Sequence, residues 1–362
     1  MDVSGRISRL VNSEDAEFVL VLRVEDIRWL TGFTGGTAQL LIHRRNHEAW
    51  LLVDGRYFDR AIDETTASRA TVNIERVVPD ISTDEMIARI VGSSTVAVDS
   101  THLTAHFMNV LQRHCIVVPE PTQLDDLRRV KDEAEISLIA SAATIADDAL
   151  LSVVTDGLVG KTEKQIRNRL DHLMREGGAD DVAFDTIVAT GALGARPHHE
   201  PSDAIVENGH GVVIDFGAMV QGYKSDMTRT IRIGAVSAEY QRMFDLVIEA
   251  EAAGIASVKA GVVGASVDAA ARAVFLREGV DHEYVHGTGH GIGLYIHEQP
   301  ILSPRCTAVL GVNEVVTVEP GLYRGGVGGV RIEDLVVVTG DSCRILTHTP
   351  KDLTCPRSQR TI

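Results

Sequence analysis

Acids set inside apolar strand patterns are the residues of this chain best placed to do chemistry. In VVIDFGAMVQGYKSDMTRT, Asp215 interrupts an apolar run. Asp226 opens a segment in which Asp226, Thr228 and Thr230 share one face if the segment is extended. EVVTVEPGLY repeats the pattern, with Glu319 on the face of Val315 and Thr317 and Glu314 on the other. GVRIEDLVVVT repeats it at Glu333, which leaves Asp334 facing away as a structural acid. Taken singly, each acid also fits a turn or a salt bridge. Together, four inward carboxylates would repel one another unless multivalent cations sat among them.

HGTGHGIGLYIHE, residues 286–298, adds His286, His290 and His297. His286 and His290 have the i,i+4 spacing of a zinc-binding helix, but HExxH is absent. Glycines at 287, 289, 291 and 293 would each cost a helix about 1 kcal/mol. The stretch therefore reads as a loop feeding an extended segment, with glycines that let the backbone pass close to a site. Two Asp, two Glu and one His suit Mn²⁺, Co²⁺ or Zn²⁺ better than a thiophilic ion. Five ligands serve two ions only if some carboxylates bridge them, the construction of centres that activate a shared water.

Such residues need sheets to hold them. The first third alternates strand patterns at 17–22, 38–43, 49–54, 71–77 and 95–100 with helical stretches VEDIRWLTG, GRYFDRAIDE and DEMIARIV, an α/β texture. PEPTQLDDLRRVK at 119–131 reads as a connector. The expected domains are 1–125, α/β, and 126–350, α+β, in keeping with a length of 362 residues. The second should carry helices near 132–153, 163–176, 237–258 and 265–278 and strands at 212–217, 225–234, 314–319 and 329–339.

Composition narrows the partners. Acidic residues number 51 against 35 basic ones, with no basic run, which argues against nucleic acid or an anionic membrane as partner. Cys115, Cys306, Cys343 and Cys355 are scattered without a CxxC and read as free thiols of a reducing compartment. The start lacks a basic segment followed by an apolar core, and no apolar run reaches the ~18 residues of a membrane span, so a cytoplasmic protein is expected.

The order Asp…Asp…His…Glu…Glu, within DFGAMVQGYKSDMTRT, HGTGHGIGLYIHE, TVEPGLY and GGVRIED, resembles the pita-bread metallopeptidases: aminopeptidase P, prolidase and methionine aminopeptidase. The resemblance spans nearly the whole chain, including a separate N-terminal α/β domain like that of creatinase. It implies an α+β pita-bread catalytic domain with two divalent ions, Mn²⁺ foremost, bridged by Asp226 and Glu333. Asp215 would complete one metal site, and His290 with Glu319 the other. By the same resemblance His286, His297 and His198, the last from ARPHHEPSD, meet substrate or the tetrahedral intermediate. Each could instead be a core histidine. His199 is expected to face solvent. Glu319 would carry the proton, and Arg331, on the face of Glu333, would hold bridging carboxylates or a substrate carboxylate.

Methionine aminopeptidases usually lack the long N-terminal domain and carry glutamine where this chain has Arg331, and creatinase lacks the carboxylate ligands. Enzymes that cut before proline remain, with homodimerisation as a family expectation. Prolidases resembling this chain usually place arginine directly after the HExP segment. Here HEQPILS supplies Ile301, with Arg305 four residues on. The expectation is therefore an Xaa-Pro aminopeptidase acting on peptides with proline second, with an Xaa-Pro dipeptidase as the alternative. A binding module that had lost catalysis would be marked by missing ligands, and none is missing.

Overall fold

The computed structural model describes residues 2–10, 16–120 and 123–355. Residues up to Arg128 form one compact unit, and those from Arg129 onward form a second. In the first, β1 (Phe18–Val21), β2 (Gln39–His43), β3 (Ala49–Asp54), β4 (Asn73–Val77), β5 (Thr95–Val98) and β6 (Ile116–Pro119) build one sheet in the order β4-β3-β2-β1-β5-β6. β2 pairs antiparallel with both β1 and β3, and the remaining contacts are parallel. Leu20, Leu40, Leu41, Leu51 and Leu52 are fully buried, which is why these strands read as apolar runs rather than alternations. Helices α1 (Val24–Thr31), α2 (Phe58–Ala67), α3 (Thr83–Val91) and α4 (Ala105–Leu111) link the strands. The expected connector contains α5 (Leu124–Arg129), while its Pro121 and Thr122 lie outside the described residues. Arg128 ends the unit with its guanidinium on Asp26.

The second unit contains α6 (Glu133–Thr155), α7 (Glu163–Glu176), α8 (Ala238–Ser257) and α9 (Gly264–Arg277). Reciprocal capping boxes, Asp132 with Glu135 and Thr162 with Gln165, fix where α6 and α7 begin. Contrary to the expectation that no apolar run is long enough, α6 could span a bilayer by length and composition. Its Ile139, Ala143, Ala146 and Leu150 are instead buried within this unit.

Strands follow between and after the helices: β7 (Asp181–Val182), β8 (Ile187–Thr190), β9 (Gly211–Phe216), β10 (Ala218–Val220), β11 (Tyr223–Lys224) and β12 (Met227–Ile233). Beyond α9 come β13 (Gly289–Gly291), β14 (Glu298–Leu302), β15 (Val315–Val318), β16 (Gly321–Arg324), β17 (Gly328–Arg331), β18 (Asp334–Val338), β19 (Cys343–Ile345) and β20 (Thr354–Cys355). Two sheets carry the site, β20-β12-β9-β8 and β14-β13-β15-β18-β19. Val212, Ile214, Phe216, Met227 and Ile231 bury one face of the first against α6 and α7 residues such as Leu150 and Leu170.

The single strand expected over 329–339 is two strands. β17 forms a hairpin with β16, and β18 joins β15 in the five-stranded sheet. Between them the Glu333 N–H donates to Thr228 O at 3.1 Å. The chain leaves one sheet and enters another at Ile332–Glu333, and that step swings Glu333 against β12.

Candidate metal centre and its cavity

Antiparallel pairing of β9 with β12 sets Asp215 opposite Thr228 and leaves Asp226 one residue ahead of β12. β13 supplies His290, β15 leads directly into Glu319, and the break between β17 and β18 supplies Glu333. Asp226, His290 and Glu333 each offer a ligand atom within 4.8 Å of the other two. His290 Nε2 lies 3.6 Å from Asp226 Oδ2 and 3.6 Å from Glu319 Oε1, too far for hydrogen bonds. Its Nδ1 donates to Gly291 O at 3.0 Å, so the bare Nε2 faces the acids.

The glycines of the histidine stretch have a steric cause. A Cβ on Gly289 would stand 2.0 Å from Thr317 O, and one on Gly291 2.2 Å from Gln299 O. β13 can thread between β14 and β15 only if those positions carry no side chain. His290, between them, is held by its own N–H on Thr317 Oγ1 at 3.1 Å.

The electrostatics call for cations. Asp226 is 5% exposed and Glu333 1%. Burial, and then the neighbouring acids, hold both carboxyls well above the usual carboxylate range. Burial also pushes Glu319 up to about 8, against the pull of Arg331. Asp215 Oδ1 and Glu333 Oε1 are buried with no hydrogen-bond partner among the described residues. Orphaned carboxylate oxygens, like charges that cannot all ionise together and one bare imidazole nitrogen are a donor set that fits hard or borderline divalent ions.

Asp215, Asp226, Glu319, Glu333, His198, His286, His290, His297 and Arg331 all line one cavity of about 440 Å³, with Phe184, Ile187, Pro197, Ile296 and Ile301 as apolar wall. Arg331 donates to Asp215 Oδ2 at 2.6 Å, to Tyr323 Oη at 2.9 Å and to Thr228 Oγ1 at 3.1 Å. Thr228 passes the link on by donating to Glu333 Oε2 at 2.7 Å. His286 Nδ1 donates to Gly287 O, and its Nε2 accepts from the Tyr323 hydroxyl, both at 2.8 Å. Burial, reinforced by Arg331, lowers His286 to about 4, so the ring is neutral and both nitrogens are engaged. His297 keeps solvent contact and packs edge-on against His290, with ring centroids 4.5 Å apart. Desolvation first, and His198 second, lower its pKa.

Two features escaped the sequence reading. Tyr323 links Arg331 to His286, but its place follows from the β16–β17 hairpin, where it pairs with Gly329. His199 does not face solvent: it is buried, with Nε2 2.8 Å from Glu163 Oε2. A carboxylate 36 residues earlier captures it, while the exposed His198 lines the cavity.

Residues 137–340 match metallopeptidase family M24, and residues 5–130 match the creatinase/prolidase N-terminal domain. The uncharacterized peptidase YqhT of Bacillus subtilis is 35% identical over 339 residues, covering 92% of this chain and 94% of that one. The Xaa-Pro dipeptidase from Bacillus anthracis superposes with a TM-score of 0.89 at 33% identity, covering 94% of this chain and 95% of the other. The X-Pro aminopeptidase from Thermotoga maritima does so at 0.87 and 34%, covering 98% and 99%. The chain belongs to metallopeptidase family M24, on the pita-bread fold with a creatinase-type N-terminal domain. It is a peptide hydrolase of the Xaa-Pro dipeptidase and aminopeptidase type, and dipeptidase and aminopeptidase neighbours match it equally well.

Proposed function

We propose that the protein is an Xaa-Pro aminopeptidase that removes the first residue from peptides with proline second. The observation that carries this reading is the cavity's supply of cationic side chains. A dipeptidase must hold the carboxylate that immediately follows proline, and charged hydrogen bonds are worth roughly 1.5–3 kcal/mol each. Arg331 is the one Lys or Arg among the described residues lining the cavity. Its guanidinium is already committed to Asp215, Tyr323 and Thr228. Ile301, paired with His290 across β13 and β14, places an apolar side chain in the cavity wall. Arg305 is exposed and does not line the cavity. A peptide that continues past proline needs no such cation.

In this reading Asp215, Asp226, His290, Glu319 and Glu333 hold two divalent cations, with Mn²⁺ the first choice for a set rich in hard oxygens. When bound, the ions supply Lewis acidity and lower the pKa of a shared water. Glu319 takes the proton from the attacking water and returns it to the proline nitrogen, which must be protonated to leave. His297, rather than the doubly engaged His286, donates to the developing oxyanion. His286 orients the Tyr323 hydroxyl, and His198, on the same cavity, meets the substrate. Four free cysteines support a cytoplasmic setting, and family likeness supports a homodimer.

The test is a side-by-side measurement of kcat/KM with Mn²⁺ on Ala-Pro, Ala-Pro-Ala and a pentapeptide beginning Ala-Pro. The two longer peptides should be preferred, their alanine-for-proline analogues should be poor, and chelation should abolish cleavage. Cleavage of Ala-Pro alone would make the protein a prolidase.

A further inference from the structure

Glu163 opens α7 yet is 0% exposed, an unusual place for a carboxylate that no candidate ligand touches. Its oxygens accept four hydrogen bonds. Oε1 takes Thr190 N–H at 2.8 Å, while Oε2 takes His199 Nε2 at 2.8 Å, Ser202 N–H at 2.8 Å and Ser202 Oγ at 2.6 Å. These donors stand at the two ends of one segment, residues 190–202. Backbone bonds strap its far end to the same helix turn, Lys164 N–H to Ser202 O at 3.2 Å and Glu163 N–H to Ala204 O at 3.1 Å.

Between the anchored ends lie Pro197 and His198, both lining the cavity. Pro197 O accepts from Arg331 at 3.4 Å. His198 is exposed and makes no hydrogen bond to a described residue, so its direction is set by the backbone that carries it. Pro197 and His198 form a turn that runs directly into His199. Fixing His199 on Glu163 therefore anchors the end of the turn that presents His198 to the cavity.

We infer that Glu163 is a positioning residue for His198, closing the 190–202 segment over one buried carboxylate so that a single histidine faces the substrate. The inference rests on the substrate-facing reading of His198 given above. Because the segment contributes no candidate ligand, loss of Glu163 should disturb the substrate side while leaving the metal-binding side intact.

The experiment is a double-mutant cycle in the full-length, Mn²⁺-loaded protein. Kinetics on Ala-Pro-Ala, metal content and thermal midpoint are measured for Glu163→Ala, His198→Ala and the double variant. His198→Ala should lower kcat/KM by on the order of ten- to a hundredfold, the range expected for a misplaced contact group. Glu163→Ala should fall to a similar level with two metals still bound, and the double variant should be no slower than His198→Ala alone. Independent, multiplying losses would overturn the inference, as would metal loss in proportion to activity. An impaired His198→Ala beside a kinetically silent Glu163→Ala would overturn the positioning role alone. A silent His198→Ala would overturn the substrate-facing reading and the inference with it. If Glu163→Ala fails to fold, His199→Phe and Ser202→Ala enter the same cycle, each removing donors while the carboxylate stays, and the same outcomes decide.

Discussion

Replacing Glu333 by glutamine should stabilise the metal-free protein and remove most of the stabilisation that metal adds. The side chain is 1% exposed, its Oε2 accepts from Thr228 Oγ1 at 2.7 Å, and its Oε1 is buried without a partner. Glutamine is close in shape. Its carbonyl oxygen can keep the Thr228 bond, and its NH₂ then stands where Oε1 stood, as a donor facing other carboxylates. A buried unsatisfied group costs about 1–3 kcal/mol, so the metal-free variant should gain on that order. Metal binding works in the opposite direction. At a hundred times its Kd, an ion stabilises the wild type by about 2.7 kcal/mol. If the lost ligand weakens Kd a hundredfold, the same concentration yields only RT ln 2, about 0.4 kcal/mol. A unit of this size shifts its midpoint by roughly 2–4 °C per kcal/mol. The Mn²⁺-induced rise should therefore shrink from about 5–10 °C to about 1 °C, while the chelated baseline moves up. Calorimetry on chelated and Mn²⁺-loaded samples reads both numbers. A variant that is less stable without metal, or that keeps the full metal-induced rise, would refute the idea that these acids are held against their own repulsion.

Three further outcomes follow from the same geometry. His290→Ala should reduce bound metal, whereas His297→Ala should keep both ions and lose about 10²–10³ in kcat as one oxyanion donor would; elemental analysis beside steady-state kinetics separates them, and a wild-type kcat for His297→Ala removes its assigned role. Arg331→Leu strands Asp215 and Tyr323 in a buried setting, so urea unfolding of the metal-free protein should show a loss of about 3–5 kcal/mol. Glu251, fully buried on α8, is pushed up to about 8 by burial and by Asp334, against the pull of Lys351. Because its folded pKa lies above the ordinary 4.5, its contribution is fully present below about pH 4.5 and lost as pH rises towards 8. Glu251→Gln cannot ionise and should flatten that fall in stability, measured as urea midpoints across the range; an unchanged slope counts against it.

What could be read in advance were the places where periodicity and chemistry coincide. In β12 the alternation that put Asp226, Thr228 and Thr230 on one face is the arrangement found: Thr228 joins Arg331 to Glu333, and Thr230 donates to Arg331 O at 2.8 Å. The long helices of the second unit were legible from their apolar stripes, whereas the short α4 was not read. The turn at Ile332–Glu333 was not legible either, because GVRIEDLVVVT is rich in β-branched residues with no proline or asparagine, and nothing local marks a change of sheet. That change is enforced by β12, about a hundred residues earlier, through Glu333 N–H on Thr228 O and the Arg229 guanidinium on Glu333 O at 2.5 Å. His199 was misplaced for the same reason, since its partner Glu163 lies outside any local pattern.

The broken strand also sorts three charges that stand within four residues of one another. Arg331 turns into the cavity and meets Asp215, Glu333 joins Asp226 and His290, and Asp334 points away to Arg229 at 2.7 Å and Lys351 at 2.7 Å. Asp334 is thereby neutralised by its own cations and held below the usual carboxylate range despite its burial. It adds nothing to the cluster. Inside the cavity Arg331 offsets one of the four converging carboxylates and leaves three negative charges. Two divalent ions, as proposed, would bring four positive ones, and the loaded centre would carry a single surplus positive charge. One further negative charge would balance it, which is what an attacking oxygen would bring on giving up its proton. Without Arg331 the loaded centre would already be neutral, and a second anionic oxygen would be less welcome. On this count Arg331 would set the charge of the loaded centre besides clamping Asp215, and a cavity so balanced would have little spare attraction for a dipeptide carboxylate.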